Sequence, residues 1–288
     1  MRSILVAIAA SITLTAQAAI VGAGASFPAP VYFKWAEAYK QATGKEVNYQ
    51  SIGSSGGIKQ INKRVVDFGA SDVARKQADL DKDGQVQFPT VMGGVVIVVN
   101  LPGVEKNQIN LTTDQVGELF AGKISNWKDL DSSLPDLPVT IIHRADGSGT
   151  TAIFTGYLAD KAKGFDLKPG KAVKWKGNAA GGKGNAGVAA MVNQVKGSVG
   201  YVEYAYAKQN NLTTTRLDGV APSADTFKSG EWNITAQTFI IVYPDGKNTK
   251  AVYEFFEWAY QNDQIAEQLD YVPLSEKTKN ESRKLWNN

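Results

Sequence analysis

Cysteine is absent from the 288-residue chain, and histidine occurs once, as His143. Without cysteine the protein forms no disulfides, no iron–sulfur cluster and no thiolate zinc site, and it has no cysteine nucleophile. A single imidazole also excludes zinc catalysis built on several histidines. Lys and Arg number 31 against 28 Asp and Glu, so the formal net charge is only +3. Nucleic acid is therefore not an expected partner, because its binders carry clustered positive charge.

Long apolar runs are also missing once the first residues of the chain are passed. At the N terminus Arg2 precedes an apolar run from Ile4 to Leu14, and Ala16-Gln17-Ala18 forms a small-x-small cleavage signal. This pattern predicts a secretory signal peptide over residues 1–18. A membrane anchor is the alternative, but the run is too short to span about 30 Å of hydrocarbon. Because no cysteine is present to carry a lipid, we expect a freely diffusing protein of a Gram-negative periplasm.

Strand-like and helix-like segments alternate along the remaining chain. Val91 to Asn100 is strongly apolar and predicts a buried strand, whereas Val31 to Ala42 carries apolar residues at helical spacing and is followed by Gly44. Such alternation predicts an α/β fold with mainly parallel strand pairing. The stretch from Lys176 to Gly187 is rich in Gly, Lys and Asn and predicts the most flexible loop. The length suits about two domains, or one large domain.

Three segments share one design, in which a strand ends in small or hydroxyl-bearing residues just before a helix. Glycines let a ligand approach the backbone, helix N-terminal amides carry partial positive charge, and Ser and Thr add hydroxyl donors. Three such turns could converge on one oxyanion, although each could equally be an ordinary helix-capping turn. The segments are Gly24-Ala25-Ser26-Phe27, Gly53-Ser54-Ser55-Gly56-Gly57 and Asp146-Gly147-Ser148-Gly149-Thr150.

The third of these turns is preceded by Arg144, which can offer a planar fork to two oxygens of an anion. Asp146 stands beside it, and Asp72 follows another short strand, yet a carboxylate should repel an anion. One interpretation is that the ligand carries protons, so that Asp accepts a hydrogen bond from a P–OH group. The other is that Asp146 caps the following helix and pairs with Arg144.

Two stretches of the chain nearly match known nucleotide-binding motifs, but each lacks a residue that its motif requires. The stretch from Gly22 to Phe27 lacks the third glycine of the dinucleotide fingerprint. The stretch from Gly177 to Gly184 copies most of a phosphate-binding P-loop, but Gly184 stands where the magnesium-binding hydroxyl belongs. Nucleotide binding is therefore not expected.

Taken together and in their order along the chain, several motifs resemble the phosphate-binding proteins of Pst-type ABC transporters. The resemblance implies a type II periplasmic-binding-protein fold, with two α/β lobes joined by hinge strands and phosphate held in the cleft. The motifs are Gly22-Ala23-Gly24-Ala25-Ser26-Phe27-Pro28-Ala29-Pro30-Val31-Tyr32, Gly53-Ser54-Ser55-Gly56-Gly57, Asp67-Phe68-Gly69-Ala70-Ser71-Asp72, Arg144-Ala145-Asp146-Gly147-Ser148-Gly149-Thr150, Gly181-Gly182-Lys183-Gly184-Asn185 and Gly200-Tyr201-Val202-Glu203-Tyr204-Ala205-Tyr206.

The resemblance also implies which residues bind phosphate. In the first lobe these are the Ser26 hydroxyl, the Phe27 amide, Ser54 and the acceptor Asp72; in the second they are Arg144, Asp146, Ser148, Gly149 and Thr150. Two residues and one stretch depart from the family pattern. Ser26 stands where a threonine is common, His143 where a second arginine is often found, and the stretch 218–232 looks short. We expect His143 to be a strand-end residue and not a ligand contact.

The implied function is capture of inorganic phosphate and its delivery to an ABC permease by lobe closure, without a chemical reaction, cofactor or metal. The first lobe is predicted to comprise residues 19–92 and 236–288, the second residues 93–235, and the protein to be a monomer. Another oxyanion, such as sulfate or molybdate, is the alternative within the binding class. A secreted phosphatase would need an activated nucleophile or a metal. A surface adhesion protein is the third class considered.

Overall fold

A computed structural model describes residues 19–286, so the signal peptide predicted at residues 1–18 lies outside the described residues. The strands in chain order are β1 Ile20–Gly24, β2 Val47–Ser51, β3 Phe68–Ser71, β4 Val86–Asn100, β5 Asn110–Leu111, β6 Thr140–Arg144, β7 Ala179–Gly182, β8 Ser198–Glu203, β9 Thr213–Thr214, β10 Arg216–Leu217, β11 Thr235–Val242 and β12 Val272–Pro273. The helices are α1 Ala29–Thr43, α2 Ser54–Asn62, α3 Gln77–Asp83, α4 Thr113–Phe120, α5 Trp127–Leu130, α6 Gly149–Lys161, α7 Gly184–Gln194, α8 Tyr204–Gln209, α9 Ala224–Ser229, α10 Thr249–Tyr260, α11 Asp263–Glu267 and α12 Glu276–Trp286.

The strands form two α/β lobes that share one long strand. The main sheet has the order β2-β1-β3-β11-β4-β8-β6-β7. Residues 86–94 of β4 pair with β11 in the first lobe, and residues 95–100 pair with β8 in the second. Within each lobe the outer pairs are parallel, as in β1 with β2 and β3, and β6 with β7 and β8. The predicted α/β architecture with hinge strands is thus confirmed.

The crossing region is built around two adjacent glycines of β4. A Cβ atom on Gly93 would lie 2.9 Å from the Phe27 ring, and one on Gly94 would lie 2.4 Å from the Phe227 ring. Both aromatic rings therefore pack directly on the strand backbone, which no larger residue at these positions would allow. On the partner strand the register shifts between Gln237 and Phe239. Such an irregularity bends a strand locally, which suits a hinge.

Two details differ from the expectation. The strands that cross between the lobes pair antiparallel, β4 with both β11 and β8, because the chain leaves the first lobe along β4 and returns along β11. The predicted flexible loop at residues 176–187 was also wrong in part, since it contains β7, which pairs with β6, and the start of α7. Among the residues described, no helix is long and apolar enough to cross a membrane.

Local signals in the sequence explain where several helices begin and end. Gly44 ends α1 in the left-handed conformation, with φ of 73°, and its amide donates to the Lys40 carbonyl. At the start of α4 the side chains of Thr112 and Gln115 form a capping box. In β4 residues 95–99 are valine or isoleucine and are buried, as expected for a strand covered on both faces.

Candidate functional site

The turns singled out in the sequence face one another across the cleft between the lobes. β1 leads into Ser26, β3 ends directly before Asp72, and β6 ends at Arg144. The carboxyl ends of neighbouring parallel strands open at the same edge of a sheet, which is where α/β proteins bind ligands. The predicted site residues are therefore close in space although they are far apart in the chain.

Direct hydrogen bonds join the lobes at this cleft. The Gly149 amide donates to Ser54 Oγ at 3.1 Å, the Asn185 amide donates to Ser26 Oγ at 3.0 Å, and the Ser55 amide donates to the Gly147 carbonyl at 3.0 Å. Each of these bonds pairs an atom of the first lobe with an atom of the second. The structure therefore represents a closed form of the cleft.

Arg144 is held rigidly by its neighbour Asp146. Its Nε and Nη2 atoms donate side-on to the two carboxylate oxygens at 2.9 and 2.5 Å, and only 1% of its side chain is exposed. Its Nη1 atom donates to Thr150 Oγ1 at 3.2 Å. Burial raises the pKa of Asp146, but the hydrogen bond and charge of Arg144 and the Gly184 amide outweigh it, so the pKa lies below its usual range. Asp146 is consequently ionised and orients the guanidinium.

The position of Asp146 decides between the two roles that the sequence suggested for this residue. Its Oδ1 also accepts from the Gly184 amide at 2.9 Å, so both oxygens are occupied within the second lobe. It does not cap α6, because that cap is Ser148, whose Oγ accepts from the Thr151 amide at 3.0 Å. The interpretation that pairs Asp146 with Arg144 is confirmed, whereas the capping that it included is wrong.

Asp72 has a different environment, with only 4% of its surface exposed. Its Oδ1 accepts from Thr238 at 3.2 Å and its Oδ2 accepts from Ser54 at 3.4 Å. Burial raises the pKa of Asp72 to about 7, against the opposing effects of the Arg144 charge and of these two hydroxyls. The carboxyl group is thus poised between its two protonation states near neutral pH.

Several backbone donors face the cleft at the starts of helices. A Cβ atom on Gly149 would lie 2.4 Å from Ser54 Oγ and 2.5 Å from an Asp72 oxygen, so only glycine permits this approach. Within residues 19–286, the amides of Phe27, Ser54 and Thr150 have no protein acceptor. Amides at helix N-termini carry partial positive charge and suit an anionic ligand.

Phe27 contributes its backbone to this edge and its ring to the hinge. The ring is fully buried, and the carbonyl accepts from the Tyr271 hydroxyl at 2.6 Å. The preceding carbonyl, that of Ser26, accepts from Tyr206 at 2.7 Å. These two hydroxyls hold the carbonyls of the turn, whereas the Phe27 amide has no protein acceptor within residues 19–286.

His143 lies beside the site but does not face it. Its ring stacks on Trp175 with centroids 5.5 Å apart, and its Nδ1 lies 2.9 Å from the Arg144 carbonyl. The structure therefore places it as a strand-end residue of β6, as expected, and not among the groups that face Asp72.

Some residues of the cleft escaped the sequence reasoning. Asn185 is fully buried and bridges Ser26 and Thr150, although it lay within a motif already noted. Thr238 reaches Asp72 from β11. Lys171 is half-buried; its carbonyl accepts from the Ser148 amide at 2.9 Å, and its charge lowers the pKa of Asp72. The signal for Asn185 was its place at the start of a helix, whereas Thr238 and Lys171 carry no local signal.

Comparison with known proteins agrees with this geometry. Residues 9–263 match the model of the PBP superfamily domain. The chain is 41% identical to the phosphate-binding protein PstS of Pasteurella multocida, over 99% of this chain and 95% of that protein. It is 45% identical to the PstS of Haemophilus influenzae, over 88% of each chain. This chain belongs to the PstS family of phosphate-binding proteins.

Solved structures of phosphate-binding proteins share the fold. A phosphate-binding protein from Stenotrophomonas maltophilia superposes with a TM-score of 0.74 at 19% identity, over 93% of this chain and 94% of its own. An ABC-type phosphate transport receptor from Vibrio cholerae gives a TM-score of 0.64 at 21% identity, over 88% of this chain and all of its own. The type II periplasmic-binding fold implied by the sequence motifs is thereby confirmed.

Proposed function

We propose that this protein captures inorganic phosphate in the cleft between its lobes and delivers it to an ABC-type import permease. The observation that carries this proposal is the orientation of Arg144. Its guanidinium is buried and fixed by Asp146 at a cleft where both lobes supply amides and hydroxyls. A desolvated cation surrounded by neutral donors suits a small oxyanion, because such charge-assisted hydrogen bonds are strong.

The nine residues predicted from the sequence form the proposed phosphate site. Ser26, Phe27, Ser54 and Asp72 act from the first lobe, and Arg144, Asp146, Ser148, Gly149 and Thr150 act from the second. Asp146 acts through Arg144, and Ser148 acts by capping α6 and so presenting the Thr150 amide. Asp72 differs from Asp146, because its buried oxygens accept hydrogen bonds from hydroxyl groups of the first lobe. These oxygens can also accept a hydrogen bond from a protonated ligand.

We also propose where the protein acts and how its two lobes move. We place it in the periplasm as a monomer, in keeping with the signal peptide predicted at residues 1–18. The lobes are proposed to comprise residues 19–92 with 236–288, and residues 93–235, with hinges in β4 and β11. The change of partner along β4, from β11 to β8, supports a boundary near residue 94. Opening about these strands would break the hydrogen bonds between the lobes.

We propose that no reaction follows binding. In the described part of the chain, no three His, Asp or Glu side chains gather as a metal site. His143 is engaged with Trp175 and the backbone, so it does not activate Ser26, Ser54 or Thr150 as nucleophiles. A phosphatase would require such activation. Turnover of a chromogenic phosphate ester by the purified protein would contradict this part of the proposal.

Calorimetric titration of the purified protein tests the function directly. Phosphate should bind, and the dissociation constants of sulfate and molybdate should be far larger than that of phosphate at neutral pH. The matched control is Arg144→Ala, which removes the fixed cation while leaving the amides of α6 in place. Equal binding of the three anions, or equal phosphate binding by the variant, would refute the proposed site.

A further inference from the structure

Asn185 makes four hydrogen bonds at the cleft, and no role has been assigned to it above. It is fully buried at the start of α7. Its backbone amide and its Nδ2 both donate to Ser26 Oγ, at 3.0 and 2.9 Å. The same Nδ2 donates to Thr150 Oγ1 at 3.2 Å, and Oδ1 accepts from the Glu203 amide at 2.9 Å. Because the Glu203 amide can only donate, it fixes the side-chain amide with Nδ2 facing the two hydroxyls.

These contacts determine the direction in which two hydroxyl protons point. A hydroxyl oxygen has two lone pairs and one proton. Ser26 Oγ accepts two hydrogen bonds from Asn185. Thr150 Oγ1 accepts one from Arg144 Nη1 and one from Asn185. Both oxygens therefore act as acceptors toward the protein, and within residues 19–286 neither hydroxyl finds a protein acceptor for its own proton.

We propose that Asn185 is a positioning residue that turns the hydroxyl protons of Ser26 and Thr150 toward the bound oxyanion. The inference rests on the proposed function, since it takes the ligand to be an anion that needs donors. Ser26 belongs to the first lobe and Asn185 to the second, so the Ser26 donor is set only when the cleft closes. Asn185 thus couples closure to the formation of a donor on the first lobe.

The substitution Asn185→Asp isolates the donor role of this side chain. One carboxylate oxygen can still accept from the Glu203 amide, but the other replaces Nδ2 and is itself an acceptor. The Ser26 hydroxyl then donates to the new carboxylate and turns away from the ligand. The expected result is a loss of phosphate affinity of at least about tenfold, as for a charge-assisted hydrogen bond lost in a buried site.

A double-mutant cycle with Ser26→Ala separates this effect from simple charge repulsion. The added carboxylate repels phosphate and turns the Thr150 hydroxyl in both backgrounds, whereas the Ser26 hydroxyl can turn only when Ser26 is present. The loss caused by Asn185→Asp should therefore be at least about threefold smaller in the Ser26→Ala background. Asn193→Asp is the matched control, because Asn193 lies on the same helix and donates to the Asn210 carbonyl at the surface. It should leave phosphate affinity unchanged.

The outcomes of these titrations are distinguishable. Equal losses in the two backgrounds would overturn the role of Asn185 in orienting the Ser26 hydroxyl, and no loss in either would overturn its role toward both hydroxyls. Either result would leave phosphate binding by the unmodified protein intact. Absence of phosphate binding by the unmodified protein would overturn the proposed function together with this inference. Thermal melting without phosphate checks that each variant folds, and Asn185→Ala in the same cycle replaces Asn185→Asp if the latter does not fold.

Discussion

Substituting Asp72 by Asn should change which anion the cleft prefers. At neutral pH inorganic phosphate retains at least one proton, whereas sulfate has none. An ionised Asp72 only accepts hydrogen bonds, so it can accept from a P–OH group but meets a bare oxygen of sulfate. Because Asp72 is 4% exposed, water cannot relieve the contact between two acceptors. The substitution Asp72→Asn keeps the size of the side chain and alters its charge and hydrogen-bonding pattern, so a change in preference reports on those two properties.

The size of the effect follows from the burial of the carboxylate. An unpaired buried polar group costs about 1–3 kcal/mol, and more when it is charged, which corresponds to about 5- to 150-fold in affinity. In Asp72→Asn the side-chain NH₂ can donate to sulfate, while Ser54 and Thr238 can rotate their hydroxyls to suit the amide. The ratio of sulfate to phosphate dissociation constants should fall at least about tenfold when it is measured by calorimetry at about pH 9, where a carboxyl group with a pKa of about 7 is ionised and phosphate still carries a proton.

A pH series adds an independent check on the same group. Burial raises the pKa of Asp72 to about 7, so acidification to about pH 5 protonates it and creates an O–H donor for sulfate. The ratio of sulfate to phosphate dissociation constants should therefore fall in the unmodified protein between about pH 9 and pH 5, and this pH dependence should be weaker in Asp72→Asn. Asp146→Asn is the control: Asp146 is occupied by Arg144 and Gly184, so this change should weaken both anions alike. At about pH 9, sulfate binding within about tenfold of phosphate by the unmodified protein would refute the reasoning.

Three further outcomes are expected. Arg144→Ala should weaken phosphate binding at least about tenfold in titrations, because a buried charge-assisted contact is lost; unchanged affinity would contradict the site. Saturating phosphate should reduce the radius of gyration in small-angle scattering and raise the melting temperature; no change in either would contradict lobe closure. In the closed form burial raises the pKa of Asp72 to about 7, whereas in the unfolded chain the pKa has its ordinary value of 3.8. Between these two values the folded protein holds a proton at Asp72 that the unfolded chain has released. The free energy of unfolding should therefore fall as the pH rises from about 4 to 7, less steeply in Asp72→Asn, as denaturant melts can measure.

The sequence predicted the location of the site better than the connections within it. Short strands that end in glycine and hydroxyl residues before a helix indicate where amides collect, and these local patterns were sufficient to single out the turns around Ser26, Ser54 and Ser148. Strand direction is not encoded in apolar periodicity, so the antiparallel crossing of β4 and β11 was not anticipated. Thr238 and Lys171 reach the site only through tertiary contacts, which no local pattern reports.

The two acidic residues of the cleft show why such residues occur at an anion site. Asp146 gives both oxygens to Arg144 and the Gly184 amide, so its charge serves to align a cation and is largely neutralised by it. Asp72 receives only hydroxyl donors and the more distant charges of Arg144 and Lys171, and burial raises its pKa to about 7. In the proposed site the first arrangement should strengthen binding of any oxyanion, whereas the second should favour an anion that brings its own proton. We therefore expect affinity and selectivity to depend on different carboxyl groups. For this reason the ratio of phosphate to sulfate binding should change greatly in Asp72→Asn and hardly at all in Asp146→Asn.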